Sequence, residues 1–419
     1  MMVSVVVVAK YTKRLYWLVV GGGLLYMMLS TAQSLVRAFL DNSLSFSIDT
    51  AYLHWNTTFP AVSVCQILND ETMAEMLENN LGPDRPHRLD NVISEIAFYG
   101  GTCHSCEDCA RGLPPTTTCP ANFTALASVY RLGCPALLAD CTWLGQSFDC
   151  CELFRPLATE FGRCFSVNSL NTGPTTPLMV NRHTGPGSLR FRAREDLQLF
   201  LHDPYSVPFA YTDRVLKETV LWGMHKEIIV KVVEMENGAS LGEVPVARRN
   251  CRFPWEVMDS GTQLYASYSF SSCAVECFLA SQVEFCNCSH HLMPKRLNAH
   301  SSENICNFDG LTCLTEHSVN ISQHRKLCPC LSSCIEPEYS VVFSSESDQE
   351  EDDFVTVRML DLPNSKFLRH VARTELDLFI SLGSLVGLFF GASLLSIANV
   401  AFLGFHRFRT GAANKARPE

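Results

Sequence analysis

The chain has 419 residues, 47% of them hydrophobic, with 33 basic and 43 acidic side chains and a formal net charge of −10. That length exceeds what one hydrophobic core usually serves, and the acidic balance excludes nucleic acid as an expected partner. All 20 cysteines lie between Cys65 and Cys334, and the even count and the confinement point to disulfides in an oxidising compartment.

Leu15 to Val36 is a charge-free run of 22 residues flanked by Arg14 and Arg37. Lys10, Lys13 and Arg14 precede it, so the positive-inside rule places the N-terminus in the cytoplasm. A cleaved signal peptide is the rival, because Ser30 and Ala32 form a small-x-small site before Gln33. The run is longer than the roughly 7–15 residues of a signal h-region, which favours a retained span. Ala61 to Cys65 alternates as a strand does, and Asp70 to Asn79 reads as a helix. Cys103, Cys106, Cys109 and Cys119 sit in a Pro/Thr-rich loop whose spacing suits zinc or disulfides. Outside the cell disulfides are the expected use. The adjacent Cys150 and Cys151 cannot easily bond each other. Asn171 to Gly187, rich in Gly, Pro and Thr, reads as an exposed loop. Leu197 to Leu201, Glu227 to Glu236 and Phe354 to Met359 read as strands. Asn56, Asn122, Asn287 and Asn320 head glycosylation sequons, with Asn287 the least accessible because Cys286 and Cys288 flank it.

Cys251 to Cys334 holds ten cysteines in a patterned order. Cys273 and Cys277 fall one helical turn apart. Cys286 with Cys288, and Cys328 with Cys330, read as pairs on one face of extended chain. Spacing alone leaves their connectivity open. Glu346 to Asp353 is an acidic run, read as a solvated loop, with divalent-cation or proton sensing the alternative. Leu378 to Phe405 is the second charge-free run, 28 residues long. As a straight helix it would overshoot a hydrocarbon core of ~30 Å by about 10 Å. A tilt, or a break at Gly391-Ala392-Ser393, absorbs the excess. Gly383, Gly387 and Gly391 recur every four residues on one helical face, where another helix can approach closely. The run is then either a single-span anchor that dimerises through its glycines, or a pore helix. In the second case the Gly391–Ser393 backbone opens onto a water-filled constriction, a setting in which non-helical backbone is tolerated at membrane depth.

Several motifs in a fixed order carry a resemblance. They are SFSIDTAYLHW before FPAVSVC, CTWLGQSFDC and FGRCFSVNS within 141–169, and RRNCRF with Glu256. LYASYS (264–269), CAVEC, CNC, MPK, CPCLSSC, Tyr339 and GLFFGASLLS (387–396) follow. Together they resemble the degenerin/epithelial sodium channels, most closely the insect pickpocket branch. The resemblance implies an α+β membrane protein that assembles as a trimer. Two transmembrane helices flank a large disulfide-rich extracellular domain with a central β-sheet. Its segments would be a cytoplasmic 1–14, a first span 15–36 and an extracellular 37–377, with a thumb-like disulfide ladder at 251–334. A pore-lining span 378–405 and a cytoplasmic 406–419 follow. The implied ladder is Cys251–Cys334, Cys273–Cys330, Cys277–Cys328, Cys286–Cys313 and Cys288–Cys306. Cys65–Cys164 would tie the exit of the first span to the sheet, and Cys141 would pair with Cys150 or Cys151. Cys134 and the cysteines of the Pro/Thr-rich loop receive no assignment.

By the same resemblance Gly391, Ala392 and Ser393 form the selectivity filter. Ile380 stands at the outer pore mouth, where the family usually carries a smaller residue. Gly383 and Gly387 pack the span, and Ser396 and Asn399 lie at the inner pore. Asn399 stands where the family usually has an acid. The His-Gly pair of the family's cytoplasmic segment is not found in the 14 residues before the first span. That implies a truncated N-terminus or a subunit that needs partners.

The expected function is a sodium-selective, amiloride-sensitive channel subunit of the plasma membrane, gated through its extracellular domain. It would have glycans at Asn56, Asn122 and Asn320, no cofactor beyond permeant Na⁺, and related subunits and lipid as partners. The alternative is a non-conducting auxiliary subunit or a cysteine-rich surface receptor. An enzyme is not expected, because His290, His291, His300, His317 and His324 lie near no recognisable nucleophile or metal spacing.

Overall fold

The chain divides into two units, one joining residues 1–46, 238–249 and 369–419, the other joining 47–237 and 250–368. The computed structural model describes all residues except 1, 42–43, 51–54, 111–118, 174–175, 257–262, 298–303, 336, 349–352, 392–394, 397, 400–401 and 404–419. The first unit opens on helix α1, Met2–Asp41. It runs through Gly21–Gly23 without a break. In lipid a helix must satisfy its backbone bonds internally. Tyr11–Leu40 is the only helix among the described residues long and apolar enough to cross a bilayer. Its side chains stay exposed in a single chain, Trp17 at 62% and Tyr26 at 74%, whereas Phe39 near its end is buried.

The second unit is built on two sheets. In chain order their longer strands are β1 (Ala61–Gln66), β2 (Leu138–Trp143), β3 (Arg155–Thr159), β4 (Gly162–Val167), β5 (Ser188–Ala193), β6 (Leu197–His202), β7 (Lys217–Val220), β8 (His225–Asn237), β9 (Glu338–Ser347), β10 (Phe354–Met359) and β11 (Lys366–Val371). One sheet runs β7-β6-β1-β4-β3 and is antiparallel throughout. The other carries β11-β8-β10-β5-β2, with β9 also along β8 and with β8 parallel to β10. Leu189 and Phe191, Leu197, Leu199 and Leu201, Ile228 and Val230, and Val355 and Val357 alternate along their strands. They form one core with Val62 and Val64. Period-two apolar stripes on facing sheets make a sandwich. β1 is buried on both faces. Val62 and Val64 enter that core, while Cys65 turns away to Cys164 and Phe200.

Helices α2 (Asp70–Leu81), α3 (His87–Ala97), α4 (Phe123–Tyr130), α5 (Phe270–Cys286), α6 (Phe308–Glu316) and α7 (Ser318–Lys326) complete the unit. α3 buries two faces. Ile93 and Ala97 meet Met73, Leu77 and Tyr130, while Val92 and Ile96 meet Phe123, Leu311, Leu314 and Ile321. Its i, i+4 pairs therefore serve two small cores at once.

Asn171–Gly187 is not simply the exposed loop its composition predicts. Val180 is fully buried, and a Cβ at Gly187 (φ +73°) would stand 2.6 Å from Val180 and 3.0 Å from Trp143. Asn168, itself left-handed at φ 62°, holds the segment by accepting from the Leu178 N–H at 2.6 Å and donating to the Phe59 carbonyl. The acidic run is also only partly solvated. Glu346 lies in β9 and reaches Lys226 Nζ at 3.2 Å, and Asp353 meets Arg192 at 2.7 Å. Residues 349–352 of the run lie outside the described ones.

Helix α8, Glu375–Phe390, starts from a capping box. The Asp377 N–H donates to Thr374 Oγ1 at 3.2 Å, and the Thr374 N–H donates to Asp377 Oδ2 at 2.9 Å. Within the first unit α1 packs against α8. Arg248 reaches both helices, its guanidinium 4.7 Å from the Phe39 ring and Nη2 3.3 Å from Glu375 Oε1. The Gly238 N–H donates to the Arg369 carbonyl at 2.8 Å.

Candidate functional site

The uncharged stretch 378–405 is not one continuous helix. α8 ends at Phe390, and Gly391 adopts φ 62°, ψ 20°, its N–H donating to the Gly387 carbonyl at 2.9 Å. A left-handed residue ends a helix, and glycine takes that conformation without Cβ strain. Helical backbone returns at 395–396, 398–399 and 402–403. Ala392 and Ser393 lie outside the described residues. Gly383 and Gly387 stand one turn apart on α8, Gly391 caps its end, and a Cβ at Gly383 would meet nothing within 4 Å. Ile380 is exposed, as are Ser396 and Asn399. Among the described residues, Ile380, Ser396 and Asn399 of one copy line no buried site.

The cysteines are brought together. Cys65–Cys164, Cys251–Cys334, Cys273–Cys330, Cys277–Cys328, Cys286–Cys313 and Cys288–Cys306 are bonded, the pairs the resemblance implies. Cys141 takes Cys150, and its neighbour Cys151 takes Cys134. Cys103 pairs with Cys106 and Cys109 with Cys119. Among the described residues one group has metal-like proximity, Cys286, Cys313 and His317, but both of its sulfurs are spent in the disulfide.

One spacing reading is corrected. Cys286 and Cys288 do not lie on extended chain, because Cys286 ends α5 and Asn287 turns the backbone at φ 55°. α5 itself is started by a Ser269–Ser272 capping box, with Ser269 Oγ accepting from the Ser272 N–H at 3.1 Å. The LYASYS motif is an anchor at this point. The Tyr265 hydroxyl donates to the Ala158 carbonyl at 3.0 Å and the Tyr268 hydroxyl to the Leu331 carbonyl at 2.7 Å. Asn56, Asn122 and Asn320 are exposed.

Three polar constellations carry no sequence pattern. Arg325 and Glu160 form a bidentate pair at 2.8 and 3.1 Å, with each side chain 4% exposed. Lys226 sits between Glu218 at 3.0 Å and Glu346 at 3.2 Å. His202 Nε2 lies 2.7 Å from Ser63 Oγ, which is 2.7 Å from Ser166 Oγ, while Nδ1 faces the Asp203 carbonyl at 2.8 Å. Burial lowers His202 to about 4, so the ring is neutral. Ser63 is fully buried, and the group beyond the ring is a carbonyl, not a carboxylate. The arrangement is a packed polar network between strands. His291 Nε2 bonds the Ile96 carbonyl at 2.8 Å and His324 Nδ1 bonds Ser281 Oγ at 2.8 Å, while His300 lies outside the described residues.

Several channel proteins are similar to the chain in sequence. The chain is 24% identical over 307 residues to sodium channel protein Nach of Drosophila ananassae, a match covering 65% of this chain and 57% of that one. It is 21% identical to pickpocket protein 19 of Drosophila melanogaster, covering 67% and 62%. To acid-sensing ion channel 2 of Danio rerio it is 23% identical, covering 84% and 70%. A solved proton-activated chloride channel aligns at a TM-score of 0.29 and 7% identity, covering 94% of this chain and 98% of that one, too remote to weigh on fold or ion. A family model described as amiloride-sensitive sodium channel matches residues 3–403. With nearly its whole length matched, the chain belongs to the amiloride-sensitive sodium channel family, the degenerin/epithelial channels its motifs resemble.

Proposed function

We propose that the chain is a pore-forming subunit of a plasma-membrane cation channel, selective for Na⁺ and blocked by amiloride. In this reading three copies assemble, each giving 15–36 and 378–405 as spans, with 1–14 and 406–419 cytoplasmic and 37–377 outside. The observation that carries it is the helix stop at Gly391, deep in an uncharged run. Backbone that leaves the helix at membrane depth needs protein or a water-filled cavity around it.

Three copies of Gly391, Ala392 and Ser393 then line the narrowest ring. Backbone carbonyls and the Ser393 hydroxyl replace part of an ion's hydration shell there. A narrow ring with few oxygens favours Na⁺ over the larger K⁺. Ile380 borders the mouth, Gly383 and Gly387 let neighbouring helices close in, and Ser396 and Asn399 face the inner pore. Opening is driven from the extracellular domain. Arg248 touches the ends of both helices, so displacement of the segment 238–249 is felt by both at once.

Asn399, where an acid is usual, supports a second reading in which the chain conducts only beside related subunits. Two-electrode recording with Na⁺/K⁺ exchange and amiloride, alone and with related subunits, tests both. Amiloride-blocked Na⁺ current in either setting supports a pore subunit. Surface expression without any effect on current in either setting overturns it.

A further inference from the structure

A pocket of about 210 Å³ is lined by residues of the second unit alone, with the exposed Tyr211 on its rim. Five stretches distant in sequence converge on it: the Tyr99–Thr102 segment after α3, the Glu160–Phe161 turn between β3 and β4, Ala210–Tyr211, and the facing sides of α5 and of α7. Tyr99 and His290, each at least nine-tenths buried, line it side by side with ring centroids 4.9 Å apart. Among the described residues neither the Tyr99 hydroxyl nor His290 Nδ1 has a hydrogen-bond partner. A buried polar atom without a partner is costly, and its presence in a cavity wall marks a place where a guest supplies the bond.

The charges of the wall cancel. Arg325 and Glu160 bind each other in two contacts, and the Ala210 N–H donates to the same carboxylate. The Arg325 guanidinium is covered by the Phe278 ring at 4.4 Å and the Tyr211 ring at 4.9 Å. Burial, then the nearby His291 and Arg325, hold His290 well below the usual imidazole range, so it is neutral as well. What remains is a mostly carbon-lined pocket with one polar end.

We propose that this cavity is a binding site for a small neutral organic molecule with an apolar body and one hydroxyl-like head, the head bonding Tyr99 Oη and His290 Nδ1. Its volume is below the roughly 300–1,000 Å³ of drug-sized sites, so the guest has about ten non-hydrogen atoms. A charged guest is rejected, because it loses its hydration and meets no free countercharge. Such a guest contacts the disulfide-braced helices and the β3–β4 turn together. On the channel reading given above its occupancy therefore biases opening.

The test uses the full chain in lipid nanodiscs and ¹⁹F NMR with 3-fluorobenzyl alcohol as probe, referenced to empty nanodiscs. 3-Fluorotoluene, 3-fluorobenzylamine and 3-fluorobenzoate share its body and change its head. The alcohol is expected to bind saturably, the toluene roughly three- to tenfold more weakly, and both charged analogues more weakly by at least about tenfold. Tyr99→Phe, which removes an oxygen with no partner, should keep the fold and reduce the alcohol's affinity to that of the toluene. Ser318→Trp should fill the cavity and abolish binding. Equal alcohol binding by wild type and Ser318→Trp would show that the cavity holds only water, and charged analogues that bind as well as the alcohol would show that no neutral head is selected; either result overturns the proposal. Binding is read whether or not the chain conducts. A protein that binds without conducting contradicts the channel reading alone, and one that conducts without binding contradicts this site alone.

Discussion

The two units differ in what satisfies their surfaces. In the second, alternating strands bury their apolar residues in one core, and all the described cysteines are bonded. Among the described residues its most deeply buried ion pair, Arg325–Glu160, is bidentate. In the first, α1 and α8 leave rows of apolar side chains open, and Arg248, Phe39 and Glu375 make one small polar junction. On the channel reading the second unit faces water and the first needs lipid and neighbouring helices to cover its exposed apolar side chains. Substitutions should therefore separate, those in the second unit acting on folding and delivery and those in the first acting on current.

The largest effect is expected at the buried ion pair. Arg325→Met leaves Glu160 charged in a dry site, a loss of about 3–5 kcal/mol. Adding Glu160→Leu should recover much of it. Thermal melts of the purified chain read both, and a silent Arg325→Met would break the contrast between the units. Next comes the ladder. Cys273→Ser or Cys330→Ser should cost about 2–4 kcal/mol and reduce surface delivery. The double variant should be little worse than either, because one bond is lost once. Summed losses would mean the two cysteines act separately.

Acidification gives a smaller effect with a definite sign. Burial holds His202 and His291 at about 4 in the fold, against about 6.5 when unfolded. Between those values the unfolded chain takes up protons that the fold refuses, so stability falls as pH drops from about 6.5 to 4. Asp203, raised by burial to about 6, opposes this, because the fold keeps a proton there that the unfolded chain releases. The melting temperature should fall across that window, and more steeply in Asp203→Asn. A flat profile in both proteins would contradict the buried neutral histidines. The smallest stability effect belongs to the first unit. Arg248→Ala removes a cation–π contact and a half-exposed ion pair, together about 1 kcal/mol. It should leave the melt nearly unchanged while altering amiloride-blocked basal current. The opposite pattern would erase the distinction between the units.

The strands were legible because their side chains alternate. Ala61–Cys65, Leu197–Leu201, Glu227–Glu236 and Phe354–Met359 fall within β1, β6, β8 and β10, each with one face in a common core. The break at Gly391 was legible from glycine in an overlong apolar run. α3, α4, α6 and α7 were not predicted. They are short, although α3 does carry a helical period, with Leu89, Val92, Ile93 and Ile96 on one apolar stripe of an otherwise polar segment. Asn171–Gly187 misled through composition, since Gly187 serves close approach to Val180 and Trp143 as well as turning. Glu160 and Arg325 stand 165 residues apart, and nothing local to either announces the other. The unassigned cysteines found partners close in sequence, at separations of 3, 10 and 17 residues, where several pairings satisfy the same spacing.

The central claim is that Gly391 to Ser393 of three copies form the ion-selective ring, and reversal potentials in mixed Na⁺/K⁺ solutions test it most directly. Replacing Ser393 by a larger polar residue should distort the ring and move the reversal potential toward that of K⁺, or stop conduction. Replacing Ser396, in helical backbone that satisfies its own carbonyls, should change it far less. Conducting Ser393 variants that all keep the wild-type reversal potential would contradict the pore assignment and leave Gly391–Ser393 as a small-residue packing patch.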